Sequence, residues 1–233
     1  MTLFLSHRGE SDDAPENTLK AFALAMERDS DGVELDIRLT RDGYAVVVHD
    51  GNLKRVCGID ADVASSTLAR LRSLHPVPCL QEVLSVMRPG KHVQIELKGC
   101  DSGLAPELKH ILSLWPGDRK MLALSSFEEE TIRRAALYFP DLPRLLLTDL
   151  ERKFGRFPSP GEVCGYIRSL DATGVSFKAT FSADRHFVDE LRRLGLRVVC
   201  WGVSSDELGL AMAQAGVDAL TCNHACALRE KFR

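Results

Sequence analysis

The first fifty residues contain two histidines, two closely spaced carboxylates and an arginine that together could carry out chemistry. Glu34 and Asp36 are two residues apart in an apolar run, so in a strand their side chains lie on one face. Two carboxylates at that spacing form half of a site for a hard metal ion. His7 and His49 end neighbouring apolar runs and could act as general base and general acid. Arg8 suits an anionic substrate such as a phosphate, and the set predicts metal-assisted phosphoester chemistry.

Three residues from later apolar runs extend this candidate site. Glu96 would join Glu34 and Asp36 in offering carboxylate oxygens to one divalent cation. That ligand set selects Mg²⁺, Ca²⁺ or Mn²⁺ over zinc. Lys98 lies two residues after Glu96, on the same face of a strand, and could neutralise a phosphate. Trp201 could form part of a pocket wall while packing partly in the core.

Each candidate also has a purely structural interpretation. The carboxylates could face solvent or form ion pairs with Arg8 and Lys98 at the rim of a barrel. A histidine at a strand end is more often a structural hydrogen-bonding residue than a catalytic one. An unpaired carboxylate inside an apolar strand is costly, however, so we expect a cation to face Glu34 and Asp36. The remaining five histidines are interpreted as structural or surface residues.

Short apolar runs alternate with helix-patterned segments along the whole chain. Eight such strands favour a closed (β/α)8 TIM barrel, and no Gly-x-Gly-x-x-Gly follows the first strand to support an open dinucleotide-binding sheet. Every candidate site residue lies at the C-terminal end of its strand, where barrel active sites form. Predicted strands cover residues 3–5, 33–39, 92–97, 120–124, 144–148, 174–177, 196–201 and 217–221, with a hairpin strand at 45–49. Predicted helices cover 19–26, 80–87, 106–114, 130–138, 163–170, 184–195 and 206–216, the fourth capped by Ser126 and the last opened by Asp206.

The length and composition suit one such barrel. The 233 residues are close to the roughly 250 that a TIM barrel typically needs, so we expect a single domain over residues 1–233. Residues 51–78 form an irregular segment, interpreted as a small insertion after the second strand unit. The net charge of −3 gives no basic footprint for nucleic acid. Oligomeric state stays open between monomer and homodimer.

The cysteines and the N-terminus predict a cytoplasmic protein. The seven cysteines are odd in number and contain no CxxC pair, which is typical of reduced thiols. Cys222, His224 and Cys226 could be a zinc fragment, but no second cysteine pair with ligand spacing accompanies them. The first residues lack the basic region and long apolar core of a signal peptide, and no apolar run is long enough to span a bilayer.

The motifs together resemble the glycerophosphodiester phosphodiesterase family. The opening block is the most specific and consists of HRG at residues 7–9, PENT at 15–18, VELD at 33–36, TRDG at 40–43 and VVHD at 47–50. Later matches are VPCLQEVL at 77–84, IELK at 95–98, SSF at 125–127, and residues 195–196 with Trp201. The resemblance covers nearly the whole chain.

This resemblance implies a fold, a reaction and a set of roles. The fold would be a TIM barrel with its small insertion at residues 51–78. The reaction would be hydrolysis of glycerophosphodiesters to sn-glycerol 3-phosphate and an alcohol. The implied roles are metal ligation by Glu34, Asp36 and Glu96, acid–base catalysis by His7 and His49, and phosphate contacts from Arg8 and Lys98.

Two stretches depart from the family pattern and leave the headgroup open. Gly202, Val203 and Ser204 follow Trp201, where the family usually has a threonine and an asparagine. Residues 221–224 read Thr-Cys-Asn-His, where the family usually has Thr-Asp-x-Pro. The nearest alternative function is a related lysophospholipase D-like activity. A non-catalytic barrel that binds phosphorylated ligands is a further alternative, and the acidic balance disfavours a nucleic-acid phosphodiesterase.

Overall fold

Eight parallel strands close into a barrel in the computed structural model, which describes residues 1–99 and 103–232. The strands are β1 (Leu3–His7), β2 (Gly32–Leu39), β3 (Ala45–Val47), β4 (His92–Leu97), β5 (Leu122–Ser126), β6 (Arg144–Thr148), β7 (Gly174–Lys178), β8 (Arg197–Trp201) and β9 (Ala219–Cys222). Their order is β1-β9-β8-β7-β6-β5-β4-β2, and pairing of β1 with β2 closes the ring. β3 lies outside the ring and pairs antiparallel with the second half of β2. The predicted TIM barrel is confirmed.

Helices connect the strands around the outside of the barrel. They are α1 (Leu19–Glu27), α2 (Lys54–Cys57), α3 (Leu68–Arg72), α4 (Leu80–Val86), α5 (Leu104–Leu114), α6 (Glu129–Tyr138), α7 (Leu150–Phe154), α8 (Pro160–Arg168), α9 (Arg185–Arg193), α10 (Asp206–Ala215) and α11 (Ala225–Phe232). Across residues 1–99 and 103–232, none of these helices has both the length and the apolar character that crossing a bilayer requires.

Three predicted helix starts show how side-chain capping sets the boundaries. Asp184 caps α9 as expected, because its carboxylate accepts a backbone hydrogen bond from the first turn. Ser126 does not cap α6, which begins after Glu128. Its hydroxyl instead donates to a backbone carbonyl of β4 at 2.8 Å. Ser205, and not Asp206, caps α10, with its hydroxyl accepting a backbone hydrogen bond at 3.2 Å.

Other boundaries also differ from the sequence-based expectation. The strand predicted at 120–124 begins at Leu122, because residues Arg119–Met121 form a 3₁₀ turn capped by Asp118. The strand predicted at 217–221 is Ala219–Cys222. Helices α7 and α11 were not predicted. The segment 51–78 is more regular than expected, since it contains α2 and α3.

The interior of the barrel is apolar in its lower part and polar at its mouth. Leu5, Ala123, Leu145, Val199 and Ala219 fill the interior between the strands. Two larger apolar layers lie between the strands and the surrounding helices. The apolar interior closes the barrel from below, so any site must form at the upper ends of the strands.

The close approach of β2 and β4 at the bottom of the barrel requires glycine. A Cβ on Gly32 would lie 2.3 Å from the carbonyl oxygen of His92, so Gly32→Ala must push these strands apart. We expect this overpacking to lower the free energy of unfolding by about 1–3 kcal/mol. Gly165 is exposed in α8 with nothing within 4 Å of an added Cβ. Gly165→Ala is therefore expected to raise stability by about 0.5–1 kcal/mol.

Urea denaturation followed by far-UV circular dichroism measures both variants. A lower free energy of unfolding in Gly32→Ala and a higher one in Gly165→Ala would support the close packing of β2 and β4 at the bottom of the barrel. A Gly32→Ala protein as stable as Gly165→Ala would contradict it.

Candidate active site

Three carboxylates meet at the mouth of the barrel. Glu34 and Asp36 project from β2, and Glu96 projects from β4, where its Cα is paired in register with that of Asp36. Their relative exposures are 4%, 0% and 6%, and they offer ligand atoms that all lie within 4.8 Å of one another. The structure therefore brings together the three residues that the sequence singled out as metal ligands.

Two cations face these carboxylates, as the cost of burying unpaired charge predicts. Arg8 Nε lies 3.1 Å from Asp36 Oδ2, and Lys98 Nζ lies 3.2 Å from Asp36 Oδ1. Lys98 Nζ also lies 2.6 Å from Glu96 Oε1. Asn17 Nδ2 donates to Asp36 Oδ2 at 2.8 Å. The two residues predicted to contact phosphate thus form ion pairs with the carboxylate cluster.

The remaining oxygens of the cluster fit a divalent cation. Among the described residues, Glu34 Oε2 and Asp36 Oδ1 are buried and accept no well-aligned hydrogen bond, although Lys98 Nζ lies 3.2 Å from Asp36 Oδ1. The nearest basic group to Glu34 Oε2 is His7 Nε2, at 3.9 Å. Two cationic side chains are set against three carboxylates, and hard oxygen ligands suit Mg²⁺, Ca²⁺ or Mn²⁺. The donor set therefore matches the predicted kind of ion.

Burial and mutual repulsion separate the pKa values of the three carboxyl groups. Burial raises the pKa of Glu34 well above its ordinary value, and the charges of Asp36 and Glu96 add to this. Burial also raises the pKa of Glu96 to about 7, against the opposing effect of Lys98. For Asp36 burial acts in the same direction, but Lys98 and Arg8 outweigh it and hold the pKa below its ordinary value.

His7 ends β1 and is held by an amide that the sequence did not single out. His7 Nδ1 lies 2.7 Å from Asn223 Oδ1, in the segment after β9. The amide oxygen only accepts hydrogen bonds, so Nδ1 is the donor and Nε2 is the free nitrogen of the neutral ring. Burial lowers the pKa of His7, and the adjacent Arg8 lowers it further.

His49 follows β3 and is held by a carboxylate. His49 Nδ1 lies 2.6 Å from Asp50 Oδ1. Because a carboxylate only accepts, Nδ1 again carries the proton and Nε2 is left for the substrate. Burial lowers the pKa of His49, and the charges of Lys98 and Arg8 lower it further, although the charge of Asp36 and the hydrogen bond to Asp50 oppose this.

Most of the site residues line a cavity of about 620 Å³ at the upper end of the barrel, namely His7, Arg8, Glu34, His49, Glu96 and Trp201. Its apolar wall includes Phe127, Leu147 and Trp201, with the Phe127 ring edge-on to Trp201 at a centroid distance of 5.1 Å. Trp201 Nε1 donates to the backbone oxygen of Ser176 at 3.1 Å, which fixes the indole in the wall. A larger groove of about 710 Å³ between α4 and α5 contains none of the predicted site residues.

Sequence reasoning missed several residues that support the site. Asp50 follows His49 directly, and Asn17 belongs to the PENT motif, so both carried a motif signal. Asn223 carried none, because it lies in the stretch that departs from the family pattern. In the same stretch His224 Nε2 lies 2.9 Å from Asp206 Oδ1, and His224 Nδ1 lies 3.3 Å from a carboxylate oxygen of Asp12.

The chain is similar to phosphodiesterases over nearly its whole length. The profile of the Glycerophosphoryl diester phosphodiesterase family matches residues 7–226. A glycerophosphodiester phosphodiesterase of Caldanaerobacter subterraneus subsp. tengcongensis is 30% identical over 94% of this chain and 93% of its own. The crystal structure of the glycerophosphodiester phosphodiesterase from Thermotoga maritima gives a TM-score of 0.80 at 26% identity, covering 100% and 99% of the two chains. An Oleispira antarctica phosphodiesterase in complex with the product sn-glycerol-3-phosphate gives 0.83 at 25% identity, covering 97% and 94%.

The raised pKa of Glu96 makes the stability of the metal-free protein depend on pH. The folded protein keeps this proton up to about pH 7, whereas the unfolded chain releases it near the ordinary pKa of 4.5. Between these values the folded state binds more protons, so the free energy of unfolding falls as pH rises. A cation held by this carboxylate would take the place of the proton. We therefore expect Mg²⁺ or Ca²⁺ to raise Tm more at about pH 8 than at about pH 5.5.

Differential scanning fluorimetry of three proteins checks this dependence. Glu96→Gln removes a ligand and the titrating group together, so it should lose most of the cation-induced rise in Tm. Glu130→Gln changes an exposed carboxylate on α6 and should behave as the wild type. A full cation-induced rise in Glu96→Gln would place the ion elsewhere.

Proposed function

Because the chain belongs to the glycerophosphoryl diester phosphodiesterase family, we propose that it hydrolyses glycerophosphodiesters to sn-glycerol 3-phosphate and an alcohol. The class of enzyme, a phosphoric diester hydrolase, follows from the family. The observation that carries the proposal is one cavity in which a buried carboxylate cluster lies between two oriented histidines. The complex of the Oleispira antarctica relative with sn-glycerol-3-phosphate supports the same product here.

Glu34, Asp36 and Glu96 would hold one divalent cation, which is Mg²⁺, Ca²⁺ or Mn²⁺. When bound, the cation polarises the phosphoryl oxygens as a Lewis acid. Arg8 lines the same cavity, and Lys98 lies against Asp36 and Glu96 of the carboxylate cluster. Both would supply positive charge where negative charge grows on the phosphoryl group. Trp201, in the apolar wall, packs against the carbon skeleton of the substrate.

The two histidines differ in their partners, and this difference favours separate roles. His7 has a neutral amide partner and the cation of Arg8 beside it, so its unprotonated form is preferred and it acts as the base. It takes a proton from the attacking oxygen as the new oxygen–phosphorus bond forms. Attack by water gives sn-glycerol 3-phosphate directly, whereas attack by the substrate's 2-hydroxyl gives a cyclic phosphate that a water molecule must then open. His49 has the carboxylate of Asp50, which favours the protonated form. It donates a proton to the departing alkoxide as the ester bond breaks.

The proposal also includes the extent of the domain, the kind of substrate, the cellular location and the oligomeric state. Residues 1–233 would act as one phosphodiesterase domain, with the short insertion at residues 51–78 beside the site. The substrate is a small phosphodiester, with no part for nucleic acid. A cytoplasmic location and a monomeric or homodimeric state stay predictions.

A turnover panel tests the function directly. Purified protein is stripped with EDTA and assayed with glycerophosphocholine, -ethanolamine, -glycerol and -inositol, and with lysophosphatidylcholine. We expect no turnover after EDTA, and release of sn-glycerol 3-phosphate from the four diesters once Mg²⁺, Ca²⁺ or Mn²⁺ is restored. Turnover of lysophosphatidylcholine alone would favour the lysophospholipase D-like alternative. Ligand binding without turnover of any substrate would favour a non-catalytic barrel.

The leaving group distinguishes the two histidines. On glycerophosphocholine, His7→Gln and His49→Gln should each lose about 10²–10⁴ in kcat. A p-nitrophenyl ester of glycerol 3-phosphate has a leaving group that needs no proton. With it, His49→Gln should lose less than about tenfold, whereas His7→Gln should remain as impaired as before.

Steady-state kinetics on both substrates give the comparison. Equal losses for His49→Gln on the two substrates would remove it as the general acid. The reverse pattern, with His7→Gln rescued, would exchange the two roles.

A further inference from the structure

Arg55, on α2 of the insertion, binds two carboxylates that come from different parts of the chain. Its Nη1 and Nη2 donate to Glu16 at 2.8 and 2.6 Å, in a bidentate pair. Its Nε donates to Asp50 Oδ2 at 2.5 Å. Glu16 lies between β1 and α1, and Asp50 lies just after β3. The guanidinium therefore links the loop that contains Glu16 and the loop that contains Asp50 to α2.

The first of these contacts leads to a catalytic candidate. Asp50 uses one oxygen for Arg55 and the other for His49 Nδ1, at 2.6 Å. The ring of His49 can keep its orientation only if the carboxylate is itself fixed. Asp50 is about a quarter exposed, so without Arg55 its side chain is free to turn toward water.

The second contact leads to the carboxylate cluster. Glu16 Oε1 also accepts from Arg8 Nη1 at 3.0 Å, and Arg8 Nε lies 3.1 Å from Asp36 Oδ2. Arg8 has a positive φ of 57°, so its backbone is held in a conformation that non-glycine residues seldom adopt. Glu16 thus holds the guanidinium of Arg8 from one side while Asp36 holds it from the other.

The packing of the insertion fixes the position of α2 and so of Arg55. Leu53, just before α2, is fully buried in a small apolar cluster with Val46 and Leu71. Gly58 ends α2 with a left-handed φ of 76°, and its N–H bonds to the carbonyl oxygen of Lys54. An arginine suits this place because its planar fork pairs with both oxygens of Glu16 and leaves Nε for Asp50, whereas a lysine offers only a single ammonium nitrogen.

We propose that Arg55 is a positioning residue that orients His49 through Asp50 and Arg8 through Glu16. This inference rests on the proposed function, because it assigns Arg55 to the same reaction. It also assigns a role to residues 51–78, since the insertion places the Arg55 guanidinium against Asp50 and Glu16. An ordinary surface ion pair contributes little to stability or activity, and about half of the Arg55 side chain is exposed. The experiment must therefore separate the two interpretations.

Arg55→Ala is compared with Arg156→Ala. Arg156 also makes a bidentate pair, with Glu162 at 2.6 and 3.1 Å, but it lies beside α8 and does not line the cavity. We expect kcat/KM for glycerophosphocholine to fall roughly tenfold to hundredfold in Arg55→Ala. Arg156→Ala should stay within about twofold of the wild type. Equal activity of the two variants would overturn the inference.

A mutant cycle shows whether Arg55 acts through its two partners. In the background of Asp50→Asn with Glu16→Gln, Arg55→Ala should cause no further loss, because the groups it holds are no longer charged. Independent, multiplicative losses would overturn the inference. If Arg55→Ala does not fold, Arg55→Gln keeps a polar stem without the charge. Wild-type activity in that variant would equally overturn it.

The ring of His49 gives a readout that does not require turnover. In a long-range ¹H–¹⁵N spectrum, assigned with His49→Gln, the wild type should show the proton of His49 on Nδ1. Arg55→Ala should shift the ring toward a mixture of tautomers, whereas Arg156→Ala should not. An unchanged ring in Arg55→Ala contradicts the inference. Absence of turnover in the wild type contradicts the proposed function, and the two failures are thus distinguishable.

Discussion

Three carboxylates buried within 4.8 Å of one another are the constraint on which the mouth of the barrel depends. Two like charges about 4 Å apart repel by roughly 4 kcal/mol at the effective dielectric of a protein surface. Arg8 and Lys98 offset part of this repulsion, and each lies against Asp36. Asp36 is consequently the member that stays ionised, while the pKa values of Glu34 and Glu96 rise. The remaining repulsion is relieved either by protons on Glu34 and Glu96 or by a further positive charge.

Strand register turns this constraint into geometry. His7 is paired with Glu34 across β1 and β2, and Asp36 is paired with Glu96 across β2 and β4. Side chains alternate between the two faces of a strand, so a slip of one residue would turn all of these groups toward the helices. The apolar interior below them, with Leu5 among its members, opposes such a slip because it would bring polar groups into the core.

The strands and the site could be predicted from sequence because both follow from local alternation. Carboxylates placed two apart in an apolar run must share a face, and the barrel rule then places them at the mouth. Boundaries depend on single hydrogen bonds instead. Ser126 has the right chemistry for a cap, and its hydroxyl does accept the N–H of Glu128 at 3.2 Å while donating to β4. Because α6 begins only after Glu128, that bond closes a turn before the helix and does not cap it, which no local pattern reveals. Helices of four or five residues, such as α2, are too short for a 3.6-residue periodicity to be visible.

Asn223 shows a further limit and also revises how the departures from the family pattern are interpreted. From sequence, the departure at residues 221–224 leaves only the headgroup open. Yet Asn223 is the hydrogen-bond partner of His7, so this segment also orients the His7 ring. A substitution in this segment would therefore be expected to affect the orientation of His7, the proposed base, as well as the rim of the cavity. One segment thus both lines the cavity and holds His7, whereas His49 is held by Asp50, which in turn is bound by Arg55 of the insertion.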